Sequence, residues 1–180
     1  MNRVLVPRLA LLLLLGAFPA LAATATFSPK IPDVEVVTHE GKKVRFYSDL
    51  VKGNVVAVNF VFTNCSTICP VSGALFAALQ KEHGRVHFIS ISIDPTVDTP
   101  QRLKSWSKQF RTQPGWTLVT GSPDAIQQLV RALGGPTGRP QDHQPLTLVG
   151  SDLTRTWSRM YGFPGAAKLG KVVDEVSVRR

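Results

Sequence analysis

Val55-Val-Ala-Val-Asn-Phe-Val-Phe62, followed at once by Thr63-Asn64-Cys65-Ser66-Thr67-Ile68-Cys69-Pro70, holds most of the structural information in this chain. The first part is almost continuously apolar and rich in β-branched residues, the pattern of a strand covered on both faces. From Pro70 to Lys81 the apolar residues Val71, Leu75, Ala78 and Leu79 recur at helical spacing, and the stretch ends near Gly84. A buried strand thus passes through a cysteine pair into a helix. In open α/β sheets the space beyond the carboxyl ends of strands is where functional groups collect.

The neighbouring segments extend this pattern. Val86–Ile93 is a second buried strand, and Trp116–Thr120 a short third one. Thr99-Pro100 starts a helix, with Thr as N-cap and Pro at the first helical position, that carries Leu103, Trp106 and Phe110 toward the core. Ser122-Pro123-Asp124 opens another helix, which stops after Leu133 at Gly134-Gly135-Pro136. Val34–Val37 and Lys43–Phe46 flank the turn His39-Glu40-Gly41 as a small hairpin. Leu146–Val149 and Thr154–Arg159 read as two strands, and Ala166–Val176 as a closing helix. Strands alternating with helices predict an α/β sheet flanked by helices on both faces. The last two strands lie too close for a crossover and must pair antiparallel, so the sheet is mixed.

The chain has 180 residues, enough for one domain, here taken as residues 27–176. Hydrophobic residues at 43% and charged residues at 18% argue for a packed core and against disorder. Lys and Arg outnumber Asp and Glu by 21 to 12, a net charge of +9, but the basic residues are scattered. That describes a solvated basic surface, which an acidic protein partner would suit as well as nucleic acid, and no run of basic residues marks a nucleic-acid patch, so no nucleic-acid partner is expected. Neither a P-loop, a GxGxxG run nor zinc-finger spacing is present. Arg3 and Arg8, the run Leu9–Phe18 and the small-x-small Ala20-Leu21-Ala22 have the anatomy of a signal peptide over residues 1–22. Cleaved, it leaves an exported, periplasmic domain; retained as an anchor, it would hold the domain at the membrane, facing away from the cytoplasm. In either compartment Cys65 and Cys69 are free to be oxidised.

Chemistry concentrates in three loops. Cys65 and Cys69, four apart at a helix start, can turn both sulfurs toward one point, and the helix start should make both more acidic than a free thiol. An inert disulfide is the alternative, but closing so short a loop would stabilise by only ~2 kcal/mol. Asp142-His143 precedes the strand Leu146–Val149. If that strand runs antiparallel to Val55–Phe62, His143 shares a sheet edge with Cys65, and Asp142 is placed to orient its ring. Asp94 ends the second buried strand, where it could orient a partner, whereas Asp98 and Thr99 are expected to cap the following helix. His39, His83 and His87 are assigned to a turn, a helix end and a buried strand face.

Phe62-Thr-Asn-Cys65-Ser-Thr-Ile-Cys69-Pro70, then Ser92-Ile-Asp94-Pro95-Thr-Val-Asp98-Thr99-Pro100, then Asp142-His143, resemble the Sco/SenC family in kind and order over about Phe27 to Phe163. The resemblance implies a thioredoxin-like fold and a copper site whose matching ligands are Cys65, Cys69 and His143. It also implies delivery of copper to the binuclear copper site of cytochrome c oxidase or another copper protein, or reduction of that site's thiols. The chain departs from the family in having Ser66-Thr67 between the cysteines, where Pro-Asp is common. It also has Val149-Gly-Ser-Asp152 where an Asp-Pro-x-Gly turn is usual.

Two thiolates and an imidazole independently suit copper, soft Cu(I) or strongly bound Cu(II), while zinc would need a fourth ligand. Two other functions are consistent with the same residues. One is a thiol-disulfide oxidoreductase without a committed metal, with Cys65 and Cys69 as its redox pair, although the CxxxC spacing differs from the redox CxxC. The other is a secreted binding module with an inert bridge.

Overall fold

The computed structural model describes residues 26–178. The segment assigned as a signal peptide, residues 1–22, lies outside them. An eight-stranded mixed sheet forms the centre, in the order β1-β8-β7-β4-β5-β6-β2-β3. Its strands are β1 (Thr26–Phe27), β2 (Glu35–Thr38), β3 (Lys43–Arg45), β4 (Val55–Val61), β5 (His87–Ser92), β6 (Trp116–Thr120), β7 (Leu146–Ser151) and β8 (Thr156–Tyr161). Strands β4, β5 and β6 are parallel, as the crossovers through α1 (Ile68–Glu82) and α2 (Pro100–Lys108) require. Helix α3 (Pro123–Leu133) and the closing α4 (Ala166–Val178) complete the layers.

Alternation along β4 sorts the core into two halves. Ala57 and Val61 face α1, α2 and α4 through Phe76, Leu103, Trp106 and Leu169. Val56, Val58 and Phe60 face α3 through Ile126, Leu129 and Leu133. Burial on both faces is what a β-branched, unbroken apolar strand encodes. Both Pro-initiated helices are capped as expected: Thr99 accepts from the Arg102 amide and Ser122 from the Ala125 amide. Helix α3 ends on Gly134 in the left-handed region, φ 64°.

Three local expectations need correction. Helix α1 begins at Ile68 and not at Pro70, so Cys69 lies inside its first turn. Its buried stripe is Cys69, Gly73, Phe76 and Leu79; of the expected stripe Leu79 is buried and Leu75 packs at the edge of the core, but Val71 is 48% exposed. Gly73 explains the rotation, because a Cβ there would come within 2.6 Å of the Phe110 ring. Phe46 does not end a strand; it opens a π-helical turn, Phe46–Val51. Asp33 holds that turn by accepting from the Tyr47 and Ser48 amides at 3.1 and 2.9 Å. Among the described residues no helix is long and apolar enough to cross a membrane.

Candidate metal centre

Backbone groups shape the cysteine turn. The Cys65 amide donates to the Phe62 carbonyl at 3.1 Å, tightening the chain directly after β4. Thr67, at the N-cap of α1, makes no side-chain capping bond. Helix starts leave amides without intrahelical acceptors, and here the Cys69 amide donates to Cys65 Sγ at 3.3 Å. The sulfur therefore takes the place that a serine or aspartate oxygen usually holds at a helix N-terminus.

Both cysteines are free thiols, and their environments push them apart: Cys65 is half-buried and Cys69 is 1% exposed. Burial opposes ionisation of Cys65. Its bonds with the Cys69 thiol and with the Cys69, Thr67 and Ile68 backbone outweigh that and hold it below the ordinary thiol value. For Cys69, burial first and its bond to Cys65 second push the thiol well up, against a smaller opposing effect of the Phe62 backbone. The expectation that both thiols are acidic is thus corrected, since the helix start serves Cys65 alone. Iodoacetamide should modify Cys65 at least roughly tenfold faster than Cys69 at neutral pH, because thiolate fraction and access both favour it. Peptide mapping by mass spectrometry reads the two rates, and equal rates would contradict the asymmetry.

His143 reaches the same edge from β7. That strand runs antiparallel to β4 with Asn59 opposite Thr147, so the residues before β7 lie beside those after β4. The imidazole packs edge-on against Phe62, with centroids 5.8 Å apart and planes at 69°. Its Nδ1 stands 3.0 Å from the Gln144 carbonyl oxygen. A carbonyl only accepts, so Nδ1 carries the proton and Nε2 the lone pair. Nε2 is buried and has no hydrogen-bond partner among the described residues. Burial holds the imidazole below its usual pKa, with the Gln144 carbonyl opposing in smaller measure. A neutral ring of fixed tautomer with an unused lone pair is the form in which histidine ligates metals.

Two expected orienting residues do other work. The Asp142 carboxylate pairs with Arg139 Nε at 2.7 Å, while the His143 ring is oriented by Gln144. Asp142 ends the 3-10 turn Pro140–Asp142, which turns its carboxylate back toward Arg139, whereas His143 leaves the turn in extended backbone. Asp94 forms a turn: its carbonyl accepts from the Val97 and Asp98 amides, and its carboxylate from the Thr96 hydroxyl at 3.1 Å. His39, His83 and His87 all have local partners: the Leu118 amide, Asp174, and Leu50 with Thr117. No three His, Cys, Asp or Glu side chains among the described residues converge into a ready-made metal cluster. The edge gathers a thiol pair and an imidazole on adjoining loops without closing them together.

Asp98 is the residue that sequence reasoning misassigned. It is 1% exposed, and Thr99 alone caps α2. The Asp98 carboxylate accepts from the Thr63 amide at 3.1 and 3.2 Å, the Thr63 hydroxyl at 2.5 Å and the Ser92 hydroxyl at 2.7 Å. It thereby ties the chain entering the cysteine turn to the end of β5. Arg102 adds an outer tie, donating to Thr63 Oγ1 and Asn64 Oδ1 at 3.1 and 2.5 Å. One signal was available in the sequence: with Thr99-Pro100 already a complete helix start, Asp98 had no capping task left.

The sequence pattern of SCO1/SenC proteins matches residues 23–145, a span that includes Cys65, Cys69 and His143. The chain belongs to the SCO1/SenC family. A SCO1 protein homolog of Bacillus subtilis is 39% identical over 87 residues, 46% of this chain and 44% of that protein. The chain spans about half the length of the curated relatives it matches. Arabidopsis thaliana ScoI, solved with copper bound, is 25% identical with a TM-score of 0.66, covering 79% of this chain and 95% of that one. BsSco, a member of the Sco family of cytochrome c oxidase assembly proteins with a disulfide switch, superposes with a TM-score of 0.73 at 23% identity. That match covers 87% of this chain and 98% of BsSco. The SCO1/SenC fold is thioredoxin-like, as the resemblance of the motifs implied.

Proposed function

We propose that this chain is a copper carrier outside the cytoplasm. It takes copper as cargo through Cys65, Cys69 and His143 and passes it to the copper-site subunit of cytochrome c oxidase or another copper protein. The observation that carries this reading is the buried, unpartnered Nε2 of His143 on the loop beside the cysteine turn. A buried lone pair without a donor costs free energy, and a metal ion is a partner that would satisfy it. Two sulfurs and one imidazole suit Cu(I), and the same donors accept Cu(II). Because the three groups do not form a closed cluster, binding has to draw the His143 and cysteine loops together. Copper in the related ScoI and the assembly role of BsSco support the choice of cargo and target. The basic and apolar N-terminal segment supports export to the periplasm, or an anchored position on the outer face of the membrane.

The thiol asymmetry favours a second reading, thiol reduction. Cys65, the more accessible and more acidic of the two thiols, would attack a target disulfide, and Cys69 would then attack the mixed disulfide. Two thiols of this chain become its disulfide, and the target's disulfide becomes two thiols.

The test is anaerobic titration of the reduced full chain with Cu(I), together with redox titration of the metal-free chain. A single copper per chain is expected, absent from the Cys65→Ser/Cys69→Ser double variant. The Cys65–Cys69 potential should lie above ≈ −300 mV, outside the range of structural bridges. A reduced chain that binds no more copper than the double variant overturns the carrier reading, and a potential below that range returns the inert-bridge alternative.

A further inference from the structure

The sheet edge that carries His143 also opens into a cleft of about 470 Å³. One wall is a stripe of α3 at three- and four-residue spacing: Pro123, Ile126, Gln127, Val130 and Arg131. The loop Pro136–Pro140 forms the other wall, and the turn Ile93–Thr96 closes the end. Two glycines set the loop's path. Gly134 turns it out of α3 with φ +64°, and Gly135 passes so near Phe60 that a Cβ would lie 2.5 Å from its ring. The floor is apolar, with Ile93, Ile126 and Val130, and His143 stands in the lining.

The rim is basic. Arg139 is neutralised by Asp142 at 2.7 Å, but exposed Arg131 has no ion pair or side-chain hydrogen bond among the described residues. Asp94 is the acidic residue of the lining, and its carboxylate already accepts from Thr96. An apolar trough with a free guanidinium at its mouth, on a chain of net charge +9, complements an extended segment carrying acidic and apolar side chains.

We propose that this cleft seats an acidic segment of the protein that exchanges copper with Cys65, Cys69 and His143. The inference rests on the copper-carrier reading and deepens it. A segment lying in the cleft abuts the imidazole, so docking brings the partner's donor atoms to the ligand first reached from that side. Arg131 then sets the affinity for the partner without touching the metal.

The probe is the soluble copper-site domain of the cytochrome c oxidase from the same organism. It is titrated by calorimetry into the metal-free, reduced chain, with amide NMR shifts read in parallel. At low salt Arg131→Glu should raise the dissociation constant roughly tenfold, and added salt should erase the difference, as for a charge at an interface rim. Arg131→Lys should bind as wild type. Cu(I) affinity of the isolated Arg131→Glu chain should stay within about twofold of wild type, since the residue shares no partner with the ligands. Shifts should cluster at residues 93–96 and 123–131. The proposal is overturned by unchanged probe binding in Arg131→Glu, by no binding to either chain, or by shifts gathered instead at the exposed apolar side chains Val71, Tyr161 and Phe163 outside the cleft. Self-association of wild type in sedimentation, lost in Arg131→Glu, would assign the cleft to a second copy and also overturn it. A wild-type chain that takes up no Cu(I) sinks the carrier reading separately, because docking is measured without metal.

Discussion

His143→Ala should weaken copper binding by more than ~100-fold, beyond the range typical of changes outside the ligand shell. The Cys65–Cys69 redox potential should shift only modestly. The separation of the two readouts follows from the geometry. The thiol pair is tuned by the first turn of α1, through amides of Thr67, Ile68 and Cys69, none of which touches the imidazole. His143 is held by the adjacent Gln144 carbonyl and by Phe62 on the neighbouring loop, and its Nε2 makes no hydrogen bond among the described residues that alanine would break. Removing the ring therefore deletes a ligand and leaves an apolar void beside Phe62, while the dithiol keeps its surroundings. His39→Ala, His83→Ala and His87→Ala are the controls, because each of those rings is engaged elsewhere in the fold. Competition against a Cu(I) chelator measures affinity, and equilibration with defined thiol buffers measures the potential. Wild-type affinity in His143→Ala would remove the imidazole from the site and favour thiol reduction as the main activity.

Legibility in the sequence followed the strength of local signals. Strand β6 falls at Trp116–Thr120 and α3 at Pro123–Leu133, as read from β-branched runs and from Ser-Pro and Gly-Gly punctuation. The shared edge of His143 and Cys65 depended on β7 running antiparallel to β4, a backbone property, and β7 does so. What escaped depends on tertiary contacts that have no period. The face of α1 is chosen by the Phe110 ring against Gly73, a residue with no hydrophobic signal of its own. The π-helical turn at Phe46–Val51 is held by Asp33, some way upstream in the chain. Cys69 is made less acidic by burial, which composition around it could not reveal. Asp98 looked like a helix cap because Asp before Thr-Pro reads that way locally, while its three donor groups belong to Thr63 and Ser92.

Asp98→Ala is expected to lower the stability of the folded chain by ~3 kcal/mol and to weaken copper binding with it. The carboxylate is 1% exposed and satisfies the Thr63 amide, the Thr63 hydroxyl and the Ser92 hydroxyl. Alanine strands these donors where water has poor access, at about 1–3 kcal/mol for each one left unsatisfied. The loss is smaller than their sum because the variant no longer buries a charge. Asp98→Asn should fall between wild type and alanine: its carbonyl oxygen can still accept, but its amide group must face a donor. Thr63 lies two positions before Cys65, so the same substitution removes the buried ties at the entry to the cysteine turn and leaves it to the exposed Arg102 ties and the Cys65 amide bond to Phe62. Thr99→Ala supplies the comparison, since it removes the α2 cap next door at a cost of about 1 kcal/mol without touching Thr63. Urea unfolding with unchanged m-value reads the stability of each variant, and Cu(I) competition reads the site. If Asp98→Ala loses no more stability or copper affinity than Thr99→Ala, the tie between β5 and the cysteine turn does not matter to either. If affinity falls while Thr99→Ala keeps it, the buried carboxylate acts on the metal centre through the loop it anchors.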